Sequence, residues 1–265
     1  LERGFNIMKS NIAADKGTAF EYKVCNLFQN QGFLTRRAVP LQYGSGKQSA
    51  TDIDIFCIYF SLPFRNTRII CDAKNKARPN PHERIFWTKG LGEFVGANEI
   101  YIALPSASWE IIKFANRGKV RVITSEMIEQ SLKNSYKYGQ ADETFYVEYF
   151  NKIEKVVKAD KKADEVINKV RKLYLKENPY STLNDVLAIL EKEVLKQFNT
   201  ADILTEDALK FWKYICCELT VLFSIQLLLI CNDVLGLPKH AREKQIIEKL
   251  SYGEMDPVKV KDIVN

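Results

Sequence analysis

The chain has 265 residues, of which 46% are hydrophobic and 27% charged, with a net charge of +6. That composition excludes a disordered or collagen-like chain and leaves room for one large globular domain or two modest ones. The mild basic excess suits a polyanionic partner but identifies none by itself.

Six cysteines, at positions 25, 57, 71, 216, 217 and 231, form no C-x-x-C pair and sit mostly in apolar runs. Cysteine there behaves as a small hydrophobe, so a reduced, intracellular protein is expected, and no His/Cys cluster suggests zinc. The opening "LERGFNIMKS" lacks the apolar core and cleavage site of a secretory signal, and Met8 would serve as a natural start.

From Ala14 to Asn30, Phe20, Val24, Leu27 and Phe28 recur at helical spacing, and Gly32 supplies a stop. "FLTRRAVPL" reads as a short strand, "YGSGKQSA" as a flexible loop and "TDIDIFCIYF" as a strand that ends fully apolar. After the turn "SLPFRN" comes a further buried strand, "TRIICDAK". The prolines of "NKARPNPHE" forbid regular structure, after which Arg84 to Val95 reads as a helix and "EIYIALP" as a fourth strand. Ser108 to Asn116 is expected to be helical, "KVRVIT" a strand, and Ser125 to Leu132 helical again. Such alternation implies an α/β layer with partly parallel pairing.

Beyond about residue 142 the strands stop, and amphipathic helices are expected over Glu143 to Lys176, Thr182 to Phe198, Glu206 to Leu235 and Lys239 to Leu250. Thr205 reads as an N-cap, and Gly236 and Pro238 as a helix end. The division is therefore residues 1–141 as an α/β domain and 142–265 as a helical domain. The longest apolar run, Leu219 to Cys231, is too short to span a bilayer and holds Ser224 and Gln226, so a buried helix and no membrane partner are expected. The helix from Phe211 to Leu235 must bury most of its surface, within its bundle or against another subunit.

The chemistry concentrates in two strands. Successive strand side chains point to opposite faces, so Asp72 and Lys74 share one face while Cys71 and Ala73 share the other. The same rule pairs Asp52 with Asp54. If the two strands form a hairpin, Asp54 and Asp72 converge with Lys74 at one end of the sheet. Carboxylates so close repel one another and resist burial, and a divalent cation such as Mg²⁺ resolves the conflict through carboxylate, carbonyl and water ligands. An ion there lowers the pKa of a bound water and neutralises charge on a phosphate, which is the chemistry of phosphodiester hydrolysis.

The motifs "TDIDIF" and "CDAK", with an acid on the first helix in "TAFEYKV", resemble the PD-(D/E)xK nucleases of the restriction-endonuclease-like fold. The order helix, three strands, helix, strand is similar to that family's core over roughly Ala14 to Ile123, and most similar to the branch of archaeal junction resolvases and Mrr-type restriction enzymes. The resemblance implies that Asp54 and Asp72 are metal ligands, that Ala73 contributes its carbonyl, that Lys74 is the catalytic lysine and that Glu21 completes the metal shell. It also implies a three-layer core with a mixed sheet, Mg²⁺ as cofactor with Mn²⁺ as substitute, and cleavage of DNA in restriction, repair or defence. The chain departs from the pattern in lacking the proline of the first motif, and Asp52 competes with Asp54, which is favoured because the apolar run starts directly after it.

Lys76, Arg78, Arg84 and Lys89 surround Trp87 and could grip phosphates while the indole stacks on a base. Among these Lys89 stands out, because related nucleases present a polar residue from the second helix. Lys47, in a glycine loop that lacks phosphate-loop spacing, and Arg36 and Arg37 are further basic candidates. A homodimer through the helical domain is compatible with the pattern. The competing reading is a catalytically inactive nuclease-fold module that binds nucleic acid or assembles a larger complex.

Overall fold

A computed structural model describes residues 17–42, 49–62, 64–74, 80–134, 143–199 and 204–252. Helix α1 (residues 17–30) ends where Gly32 takes a φ of +88°. The Phe33 N–H bonds to the Phe28 carbonyl at 3.1 Å and the Gly32 N–H to that of Gln29 at 2.9 Å, the paired contacts that close a helix on a left-handed glycine.

Strands β1 (Leu34–Gln42), β2 (Ser49–Ser61), β3 (Arg65–Ala73), β4 (Glu99–Leu104) and β5 (Val120–Thr124) form one mixed sheet in sequence order. β1 and β2 are antiparallel, whereas β3, β4 and β5 are parallel. Neighbouring β2 and β3 are joined by three residues, too few for a parallel crossover, and so form a hairpin. The parallel strands are linked through α2 (Pro81–Phe94) and α3 (Trp109–Arg117), and crossovers of one hand put both helices on the same face. α1 and α4 (Ser125–Asn134) cover the other, where Phe20, Val24, Phe28 and Ile128 pack on Ile55, Cys57, Ile69, Cys71 and Ala73.

α2 begins at Pro81, earlier than the expected Arg84, because Asn80 caps it and proline is preformed for the first helical position. The helix lies close to the sheet at Gly92: a Cβ there would overlap the Ile100 side chain. This close seating brings the first turn of α2 over the C-terminal end of β3.

The chain divides into two compact units, the first of residues 1–60 and 66–151 and the second of residues 61–65 and 152–265, so that the main boundary falls inside α5 (Glu143–Ala159), after Asn151. The single helix expected from Glu143 to Lys176 is broken: Asp160 accepts the Lys162 N–H at 2.8 Å and starts α6 (Lys161–Lys172), which closes in a 3-10 turn, Leu173–Leu175. α7 (Pro179–Ile189) starts before Thr182 because Asn178 accepts the N–H groups of Tyr180 and Ser181, and it runs through a π turn, Leu190–Val194, into α8 (Leu195–Phe198). α9 (Glu206–Val234), capped by Thr205 as expected, and α10 (Lys239–Tyr252) complete the unit. Tyr180, Leu183 and Ile230 form a core with Phe223, Ile246 and Leu250.

The expectation that α9 buries most of its surface is corrected. Only 39% of its most apolar eighteen-residue window is buried, and the whole helix, unlike its central apolar run, is long and apolar enough to cross a membrane by length and composition. Phe211, Trp212, Ile215, Leu219 and Leu222 face inward, while Cys217, Val221, Leu227 and Cys231 remain exposed.

Candidate active site

The period-two rule places Cys71 and Ala73 in the core under α1, so Asp72 and Lys74 project from the opposite face, toward α2. Their strand is held to its end: the Lys74 N–H donates to the Ala103 carbonyl at 3.1 Å, prolonging the β3–β4 ladder.

Asp54 reaches this point from β2. Its Oδ2 accepts the Ala73 N–H at 2.9 Å and the Lys74 ammonium at 2.8 Å. The same Nζ lies 3.8 Å from Asp72 Oδ1, so one positive charge stands between two carboxylates. Asp52 remains exposed and accepts the Ser49 hydroxyl at 3.2 Å, outside this group. Of the two competing aspartates, Asp54 is thus the one brought to Asp72 and Lys74.

Glu21 comes from α1 and is bound by Arg37 of β1 at 2.6 Å, the guanidinium lying 5.0 Å from the centre of the Tyr22 ring. Burial raises the pKa of Glu21, the Arg37 charge opposes that rise, and smaller effects of Asp54 and Lys74 place Glu21 within electrostatic reach of both. Between the β1 residues paired with Ile55 and Ile53, Ala38 adopts a φ of +54°, a left-handed conformation opposite Asp54. Arg36 is buried and Arg37 is tied to Glu21, so neither of these two basic candidates is a freely exposed charge.

Asp72 has only 3% of its side chain exposed and is clasped by Arg84, whose Nε donates to Oδ2 and Nη2 to Oδ1. Burial raises the Asp72 pKa most, the Arg84 hydrogen bonds lower it, and the neighbouring Asp54 raises it again. The guanidinium also lies 4.2 Å from the centre of the Trp87 ring, which is 38% exposed rather than packed in the core.

Arg84, one of several basic candidates in the sequence, is the one that the fold brings to Asp72. Lys89, favoured on the sequence, points instead along α2 to Glu93 at 3.7 Å. Two signals mark Arg84: Pro81 sets the first turn, and Arg84 lies beside the buried stripe of Ile85, Thr88 and Gly92, one turn before Thr88. His82 sits in that first turn, exposed, with its ring against Phe114. Lys47, Lys76 and Arg78 lie outside the described residues.

Among the described residues no group of three His, Cys, Asp or Glu side chains converges tightly enough to hold a metal. Asp54 and Asp72 are nevertheless hard oxygen donors of the kind that Mg²⁺ accepts, completed by water, with the Lys74 ammonium beside them. These two carboxylates are the donors that would hold such an ion. The chain has no match among protein-family models, curated proteins or solved structures.

Proposed function

We propose that the α/β unit is a metal-dependent nuclease that hydrolyses phosphodiester bonds of DNA, an endonuclease of restriction, repair or defence type. The observation that carries this reading is the meeting of Asp54, Asp72 and Lys74 at one strand end. The order α1, β1, β2, β3, α2, β4 supports a restriction-endonuclease-like core.

Asp54 and Asp72, with the Ala73 carbonyl, would hold Mg²⁺ or Mn²⁺. When bound, the ion supplies a water of lowered pKa and offsets charge on the phosphate. Lys74, held by Asp54, presents its ammonium to the attacking water and to the developing negative charge. The Ala73 N–H fixes the Asp54 carboxylate, so its orientation is set before substrate arrives. Glu21, tied to Arg37, acts at longer range on the same charges. Partners in this reading are DNA and, through the helical unit, a second copy of the chain.

The test is incubation of the protein with supercoiled plasmid, single-stranded and branched DNA in the presence of Mg²⁺ or Mn²⁺. Cleavage is expected for the wild type and is expected to vanish in Asp72→Asn and Lys74→Met. Equal cutting by those variants refutes the assignment.

A second reading rests on a specific observation: each acid of the cluster already faces a base, Glu21 with Arg37, Asp54 with Lys74 and Asp72 with Arg84. A neutralised cluster is what a catalytically inactive nuclease-fold module would retain. Calorimetric titration with Mn²⁺ separates the two readings, since the module takes up no ion at millimolar concentration.

A further inference from the structure

We propose that Arg84 is a built-in counter-ion that competes with the divalent cation for Asp72, so that α2 sets the metal affinity of the site. This inference rests on the metal-site reading above. Three observations carry it.

Both oxygens of Asp72 are engaged by Arg84, Oδ2 by Nε and Oδ1 by Nη2. A cation that takes Asp72 as a ligand must share an oxygen with one of those hydrogen bonds or displace it, and the guanidinium charge opposes its approach in either case. The second observation is charge. Asp54 and Asp72 are matched by Lys74 and Arg84, so a dication added to the intact group leaves an excess of two positive charges in a partly dry site. Moving one cation away halves that excess.

The third observation identifies which cation moves. Lys74 is tied to Asp54 at 2.8 Å and only secondarily to Asp72 at 3.8 Å, and its own backbone is locked to Ala103. Arg84 sits instead on the first turn of a helix, with its guanidinium against Trp87 at 4.2 Å. The exposed indole offers a cation–π surface on which the guanidinium can rest after leaving the carboxylate. Once freed, its five N–H donors face outward, where a phosphate would approach.

The experiment is calorimetric titration of the full chain with MnCl₂, comparing wild type with Arg84→Gln and Arg84→Lys, each first checked by circular dichroism. Removing the competitor is expected to tighten Mn²⁺ binding about tenfold in Arg84→Gln, about 1.4 kcal/mol. Arg84→Lys, which keeps the charge but cannot fork, is expected to fall between. A parallel titration with MgCl₂ follows tryptophan emission: a change is expected in wild type and is lost in Trp87→Phe. Unchanged or weaker Mn²⁺ binding in Arg84→Gln, with wild type still binding, overturns this inference and leaves the metal site standing. Absence of binding in wild type and both variants overturns the metal site and this inference with it. Tighter binding in Arg84→Gln by a protein that cuts no DNA supports the competition and refutes the nuclease reading alone.

Discussion

Replacing Asp72 and Arg84 separately and together tests whether the buried pair acts as one unit. Asp72→Leu leaves the Arg84 guanidinium, 14% exposed, and the Lys74 ammonium short of an anion. Arg84→Met leaves Asp72 almost fully buried, with Lys74 at 3.8 Å as its remaining counter-charge. Breaking a fully buried pair by removing one partner costs about 3–5 kcal/mol, and the residual exposure of Arg84 together with the help of Lys74 brings each single variant to about 2 kcal/mol. The raised pKa of Asp72 says that its burial outweighs what Arg84 returns, so the intact pair stabilises the fold little. The double variant, which fills the same space with apolar atoms, is therefore expected within about 1 kcal/mol of wild type, a coupling of about 3 kcal/mol. Urea unfolding followed by circular dichroism measures all four proteins. Additive losses, with a coupling under about 0.5 kcal/mol, refute the paired geometry.

Three further outcomes follow from the packing. Cys25, Cys57 and Cys71 are buried, and burial pushes all three thiols up, Cys25 to about 12. A thiol reagent at neutral pH is thus expected to label Cys217 and Cys231 in the native protein and all six cysteines only in denaturant; early labelling of Cys71, read by peptide mass, contradicts the core. Gly92→Ala forces a Cβ against Ile100 and is expected to cost about 1–3 kcal/mol by urea unfolding, whereas Gly90→Ala, with open space around it, is expected to cost nothing. In the helical unit Asp233 accepts from Tyr180 at 2.8 Å, Lys249 at 2.9 Å and Gln245 at 3.1 Å. Burial raises the Asp233 pKa, but these bonds together hold it below the usual carboxylate value. A depressed acid stabilises above its unfolded pKa and loses that contribution as pH falls through the folded value. The stability gap between wild type and Asp233→Asn is accordingly expected to be constant at neutral pH and to close in acid below about pH 4; a gap that persists at pH 2 contradicts this network.

Much of the α/β unit is legible because its signals are local. Period-two alternation assigns Cys71 and Ala73 to one face and Asp72 and Lys74 to the other, and the short β2–β3 connection forces the hairpin that brings Asp54 alongside. Gly32 and Thr205 mark helix ends because their roles depend on one or two neighbouring bonds. What escaped depends on competition between signals or on distance. Asp160 sits in a run with unbroken helical periodicity, and only its carboxylate cap on the Lys162 N–H decides the break. Arg84 was hidden among several basic residues, since which of them meets Asp72 is set by where α2 starts and how closely Gly92 lets it approach the sheet. Lys89, only five residues later, turns away to Glu93. The exposure of α9 was illegible because hydrophobicity reports a tendency to be covered and not which faces are covered.

The proposed metal site requires Asp54 and Asp72 together to hold one divalent cation beside Lys74. A crystal soaked in MnCl₂ and measured at the manganese edge tests it most directly. One anomalous peak is expected about 2.0–2.2 Å from an oxygen of each carboxylate, beside the Lys74 ammonium, with the Arg84 guanidinium moved off Asp72. No peak at saturating Mn²⁺, or a peak elsewhere with Arg84 still on Asp72, contradicts it.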